Sequence, residues 1–163
     1  MNLVVAVDKK WGIGNKGQLL VRIPDDMKNF RSLTEGNVVI LGRKTLATFP
    51  GGRPLKNRVN IVMTKKGISP DTEAVTAGSV EEVLELIKKY KSEDVYVIGG
   101  TSVYEQLLPY TDTAYVTYID YSYEADAYFP NLDLSDEWVM TAESEEQTYF
   151  DVEYYFRKYE RKK

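Results

Sequence analysis

The sequence predicts an α/β domain with a largely parallel sheet and an antiparallel C-terminal edge. Three observations carry this. Short apolar runs alternate with helical patterns through the first two thirds of the chain, as in βαβ units. After residue 112 the helical patterns stop and Tyr-rich, alternating segments take over, which is how half-buried antiparallel strands read. The chain has 163 residues, 43% of them hydrophobic, enough for one domain with a sizeable core spanning residues 1–163.

The elements follow in order. Leu3–Val7 is a continuous apolar run and reads as a buried strand. Next comes Gly12-Ile13-Gly14-Asn15-Lys16-Gly17. It matches G-x-G-x-x-G, but a dinucleotide fingerprint needs a helix to open at once, and none opens before Pro24. A mobile, glycine-rich loop over an active site suits this stretch better. A helix over 24–35 starts at Pro24, whose missing N–H costs nothing in a first turn. Asp25 and Asp26 then favour the helix dipole, and Met27, Phe30 and Leu33 form an apolar stripe. Val38–Leu41 and Val59–Met63 read as further buried strands, with Gly51-Gly52-Arg53-Pro54 a loop between them. Ser79, followed by Glu81 and Glu82, opens a helix over 79–90 with Val83, Leu84 and Ile87 facing inward. Val95–Ile98 is a strand, two glycines follow, and a helix covers 100–108. Ala114–Ile119, Trp138–Ala142 and Thr148–Tyr159 read as single strands with no helix between them.

Composition narrows the chemistry. The chain has no histidine and no cysteine, so disulfides and thiolate metal sites are excluded and no metal is expected. Proton chemistry must rest on a carboxylate, a tyrosine, a lysine or water. Harder chemistry then falls to a bound cofactor. No apolar run approaches the roughly 20 residues of a membrane span, and no secretory signal precedes Leu3, so a cytoplasmic protein without membrane contact is expected. Net charge is −4, yet residues 1–91 hold 16 Lys/Arg against 9 Asp/Glu, while residues 92–156 hold 15 acids and no base. A basic first half suits a polyanionic small ligand, or it merely tunes solubility. The overall acidity disfavours nucleic acid.

Asp26 is the leading candidate for chemistry. Phe30 and Leu33 lie four and seven residues after it, so it borders the apolar stripe while Asp25 points elsewhere. It is either an ordinary helix-start acid or a carboxylate at the edge of an apolar pocket with a raised pKa. In Val97-Ile98-Gly99-Gly100-Thr101-Ser102-Val103-Tyr104, a strand meets two glycines and a helix. That gives a ligand close approach to the backbone, or it is simply a tight turn. Leu41-Gly42-Arg43-Lys44-Thr45 and Val62-Met63-Thr64-Lys65-Lys66 also end strands with hydroxyls and bases. Three such ends suit a phosphate-bearing ligand at the carboxyl edge of a parallel sheet. Arg58, before a strand and after a turn, is either a bidentate carboxylate clamp or a solvated side chain.

Together these segments resemble the dihydrofolate reductase family along nearly the whole chain. Val4–Ala6, Gly12-Ile13-Gly14, Ile23-Pro24-Asp25-Asp26-Met27, Gly42-Arg43-Lys44-Thr45, Arg53-Pro54-Leu55, Arg58, Ile98-Gly99-Gly100, Val103-Tyr104-Glu105 and Thr117-Tyr118-Ile119-Asp120 carry the match. The resemblance implies an eight-stranded, mostly parallel sheet with an antiparallel C-terminal part and flanking helices. It implies NADPH-dependent reduction of dihydrofolate; antifolate inhibitors as ligands and a monomeric state are expected alongside. Asp26 matches the active-site acid, Thr117 its supporting hydroxyl, and Val4 and Ile98 backbone contacts to the pterin. Met27, Phe30, Phe49 and Leu55 match pocket walls, and Arg58 the clamp on the glutamate carboxylate. Ala6, Ile13, Gly14 and Leu19 match the surroundings of the nicotinamide. Gly42, Arg43, Lys44, Thr45, Thr64, Lys65, Thr101, Ser102, Val103 and Tyr104 match the rest of the cofactor site, Tyr104 also bordering the substrate. Gly99 and Gly100 match a pair usually joined by a cis peptide. The family often carries Pro-Trp where this chain has Leu20-Val21, and Val21 has no donor to order water near the acid. Ser102 stands where some members carry an arginine, leaving Lys44 and Lys65 to face the 2′-phosphate. Two rival readings are a same-fold reductase of another substrate and a non-catalytic nucleotide binder.

Overall fold

The first strand of the chain, β1 (Asn2–Val7), runs near the middle of the main sheet in the computed structural model, which describes residues 1–163. The other long strands are β3 (Val38–Gly42), β4 (Val59–Met63), β6 (Val95–Gly99), β7 (Thr113–Ile119) and β11 (Val152–Arg161). Shorter ones are β2 (Gly12–Gly14), β5 (Val75–Ala77), β8 (Ala127–Tyr128), β9 (Trp138–Glu143) and β10 (Gln147–Tyr149). Four helices, α1 (Pro24–Thr34), α2 (Arg43–Ala47), α3 (Val80–Leu86) and α4 (Thr101–Leu107), complete the fold.

The main sheet runs β10-β11-β7-β1-β6-β3-β4-β5. Every pair from β7 to β5 is parallel, and β11 turns antiparallel against β7. β9 pairs with Arg157–Arg161 of β11 and β10 with Val152–Tyr154. Both lie on the edge of β11 away from β7, so they are two pieces of one interrupted eighth strand. This is the α/β architecture the sequence predicts: eight strand positions, mostly parallel, with an antiparallel C-terminal part. No helix is long and apolar enough to cross a membrane.

Some boundaries differ from the sequence reading. The expected strand Thr148–Tyr159 is a hairpin, with Phe150 at φ 56° in its turn. The expected loop at Gly12–Gly17 begins as β2, which pairs with β8 in a separate two-stranded sheet. The helix expected over 79–90 is α-helical only to Leu86 and ends in a 3-10 turn at Ile87–Lys89. Short 3-10 turns also occupy Pro50–Gly52 and Leu132–Leu134, where no helix was expected.

The two faces of the sheet are packed differently, and this positions the site. On one face Leu3, Val5, Val7, Ile40, Ile61, Val97 and Val116 join Val83 of α3 and Val103 and Leu107 of α4 in one continuous core. Burying such a side chain stabilises by about 1.5–3 kcal/mol. On the other face the core is split. Leu46 of α2 packs with Val39, Leu41 and Val62, while Ile23, just before α1, packs with Ile119 and Tyr154. Between these two clusters Val4, Ala6 and Ile98 are only half-buried. The apolar run of β1 therefore alternates between core and cleft floor.

Candidate active site

The cleft opens between α1 and α2, over the carboxyl ends of β1, β3, β4 and β6, which all point to one edge because they are parallel. Asp26 projects from the first turn of α1 toward β7, where the Thr117 hydroxyl donates to its Oδ1 at 2.5 Å. Ala6 is paired with Thr117 across β1 and β7, so floor, hydroxyl and acid are contiguous. Burial raises the Asp26 pKa above the ordinary 3.8, and the Thr117 bond pulls it partly back. Asp25, one residue earlier, is exposed, as its helical position predicts.

Tyr104, buried in α4, sends its hydroxyl to the Val4 carbonyl at 2.7 Å. Its pKa is raised by burial and then by the nearby charge of Asp26. The carbonyl that the family resemblance assigns to the pterin is thus already shared with a protein donor. Met27 is exposed, and Phe30, Phe49 and Leu55 are half-buried around the opening. Only Thr34 of α1 is fully buried; the apolar stripe seen in the sequence faces the cleft as much as the core.

Arg58 stands at the far mouth of this cleft. Its Nε donates to Thr34 Oγ1 at 3.0 Å and its Nη1 to the Lys56 carbonyl at 3.1 Å, and its guanidinium lies 6.0 Å from the Phe30 ring centre. Thr34 in turn donates to the Phe30 carbonyl. The Arg58 stretch is held from below by buried Asn60, whose amide bonds Leu55 N, Leu55 O and Arg58 O. Sequence reasoning missed both supports. Asn60 left a signal, a lone amide inside the apolar run Val59–Met63, whereas Thr34 left none.

The opposite end is a cradle without room for side chains. The Gly99–Gly100 peptide is cis and Gly99 has φ 116°. A Cβ on Gly99 would lie 3.1 Å from the Tyr104 ring, one on Gly42 3.2 Å from Val103 Cγ2, and one on Gly100 3.2 Å from Thr45 Oγ1. The starts of α2 and α4 therefore meet at these glycines. Arg43, Lys44 and Lys65 are exposed nearby in sequence and Thr45, Thr64 and Thr101 half-exposed, with Ser102 at the surface. Backbone that closely approached, with Arg43 and Lys44 directly after Gly42 and Lys65 just after β4, fits a phosphate-bearing dinucleotide.

A small apolar pocket lies beside Ala6 of the floor, with Ile13, Leu19, Leu20, Val21 and Ile119 among its other walls. Val21 packs against the cluster of Ile23, Ile119 and Tyr154 and offers no donor. The loop above is tied down at its start. Asp126 donates its N–H to the Gly14 carbonyl and accepts from Lys16 N. Buried Asp8 accepts from Gly12 N and Tyr123 N. Leu19, farther along, is exposed.

Known proteins match the chain over nearly its whole length. The dihydrofolate reductase family model covers residues 1–161. Dihydrofolate reductase of Bacillus subtilis is 34% identical, over 99% of this chain and 95% of the relative. The Rattus norvegicus enzyme is 36% identical over 99% and 97%. The structure of the Enterococcus faecalis enzyme, complexed with NADP(H) and RAB-propyl, superposes with a TM-score of 0.84 at 32% identity, covering 99% of this chain and 96% of that one. Matched by the family model over nearly its whole length and by full-length relatives at 34–36% identity, the chain belongs to the dihydrofolate reductase family of NADPH-dependent oxidoreductases.

Proposed function

We propose that the protein reduces 7,8-dihydrofolate to 5,6,7,8-tetrahydrofolate at the expense of NADPH, acting as a cytoplasmic monomer in one-carbon metabolism, and that antifolates occupy the same cleft. The observation that carries this is the Asp26–Thr117 pair at 2.5 Å on the edge of a cleft lined by Val4, Ala6 and Ile98. NADPH, when bound, supplies a hydride to C6 of the pterin. Gly42, Arg43, Lys44, Thr45, Thr64, Lys65, Gly99, Gly100, Thr101, Ser102 and Val103 would hold it, and Ala6, Ile13, Gly14 and Leu19 would line the nicotinamide end.

The remaining work belongs to this chain's own groups. Asp26 anchors the pterin and governs the proton that water delivers to N5. Thr117 fixes the orientation of that carboxylate. Met27, Phe30, Phe49 and Leu55 hold the substrate rings, and Arg58 clamps the glutamate carboxylate through its fork, which Thr34 pre-orients. Tyr104 keeps the Val4 carbonyl in place beneath the ring. Positioning two rings face to face accounts for much of the acceleration.

The test is to mix the protein with NADPH and dihydrofolate and follow oxidation of the nucleotide. Oxidation that an antifolate blocks, and that Asp26→Asn abolishes at neutral pH, is expected. Oxidation undiminished in Asp26→Asn removes the role given to that acid; no oxidation at all leaves a nucleotide-binding protein of this fold.

A further inference from the structure

Asp26 has one protein partner, at Oδ1. Its Oδ2 receives no protein donor. Every fully buried side-chain polar atom in the protein is hydrogen-bonded, so Oδ2 stays open to water or ligand. On the loop side, the walls nearest the cleft floor are apolar: Ala6, Ile13, Leu19, Leu20, Val21 and Ile119. The one acid there, Asp8, is already committed to backbone N–H groups. Water arriving from that side finds nothing to hold it.

The other flank of α1 is different. A solvent-open groove of about 330 Å³ lies there, with Asn29, Tyr115, Val116, Ser144, Phe156 and Lys158 among its walls. That is far more than the roughly 30 Å³ one water occupies. Neither Asp26 nor Thr117 is among its walls, but three of the wall residues are their immediate neighbours in helix position, sequence or strand register. Asn29 lies three residues after Asp26, on the same side of the helix. Val116 precedes Thr117, and Phe156 is paired with Thr117 across β7 and β11. Asn29 is half-buried, and its side chain makes no hydrogen bond within the protein. A helix lying on a sheet ordinarily turns an apolar side chain inward at such a position. A short amide there instead leaves a gap and needs water to satisfy it.

We propose that this groove is a second water route to the Asp26 carboxylate, with Asn29 as the residue that positions water inside it. The proposal rests on the role given to Asp26 above. Each turnover consumes one solvent proton. Water gives a proton to N5 as C6 gains its hydride, and the hydroxide left behind is neutralised by a proton relayed along the groove. Asn29 touches neither substrate nor cofactor; it acts on the water.

The experiment fills the gap with Asn29→Phe and measures single-turnover reduction at saturating dihydrofolate and NADPH, in H2O and in D2O. Losing the groove, the one of the two routes whose walls can hold water, should slow the step about tenfold, less than the ~100-fold or more that a complete loss of acid–base assistance costs. The solvent isotope effect should rise, KM for both ligands should stay unchanged, and Asn29→Ser should recover both rate and isotope effect. Ala142→Trp, closing the outer mouth from β9, should reproduce the result if Asn29→Phe folds poorly. A normal rate and isotope effect in both filled variants would overturn the proposal, as would a loss that Asn29→Ser shares. If Asp26→Asn is inactive while the filled variants are normal, the route fails and the role of Asp26 stands; if Asp26→Asn is active, that role fails first.

Discussion

At the scale of single residues, the balance at Asp26 is set by two opposing effects of unequal size. Burial favours its neutral form, the Thr117 hydroxyl favours its charged form, and burial wins. The folded protein therefore binds this proton more tightly than the unfolded chain does. The stability linked to it is fully present below the ordinary 3.8 and is lost as pH rises through the higher folded value. Asp26→Asn should therefore melt above the wild type at pH 7, with the gap closing as the pH falls toward 3.8; melting curves at the two pH values check this. The same variant should lose about 100-fold or more in turnover, the usual worth of a positioned acid–base group. Thr34→Val removes the acceptor for Arg58 Nε at 3.0 Å. It should raise KM for dihydrofolate about tenfold, the worth of a charge-assisted bond, and leave KM for NADPH unchanged. Steady-state kinetics with each ligand varied in turn decides it.

At the scale of elements, legibility followed length and periodicity. α1 announced itself through Pro24, two first-turn acids and an apolar stripe, and the long parallel strands through their unbroken apolar runs. β2 and β8 did not, because three residues and two residues have no period, and their pairing joins Gly12 to Tyr128. The hairpin of β10 and β11 hid for a different reason. Its turn holds Phe150 and Asp151, with no glycine, proline or asparagine to mark it. The structure shows what that omission costs. Phe150 sits at φ 56° with 83% of its surface exposed, so it bears left-handed strain while burying little. Phe150→Gly should stabilise the protein by about 1 kcal/mol, seen as a higher Tm. Parts of the site were hidden in the same way. Asp26 stood out by its neighbours, and the glycine pair by its place after a strand. The Tyr104 bond to Val4 spans a hundred residues and left no local trace.

At the scale of the molecule, charge and topology act together. The basic first half of the sequence supplies Arg43, Lys44 and Lys65, which follow strands that end on one edge of the sheet. The run without bases, residues 92–156, includes β7 and the antiparallel strands β9 and β10. A multiply charged nucleotide approaching the cleft meets the cationic ends, and such attraction is screened over about 10 Å at 0.1 M salt. Affinity for NADPH should therefore weaken with added salt more steeply than affinity for dihydrofolate. Titrations at low and high ionic strength check this; equal slopes would mean that the asymmetry serves solubility alone.

The central place of β1 also has a meaning for how the protein is made. Residues 2–7 are synthesised before every other strand of the sheet, yet their only strand partners in the main sheet are β6 and β7, at 95–99 and 113–119. The floor of the cleft is thus an apolar segment that stays unpaired until most of the chain has been synthesised. Long-range closures of this kind are slow and expose sticky surface while they wait. The strand that floors the cleft is made before the rest of the sheet and is among the last of its strands to be sheltered.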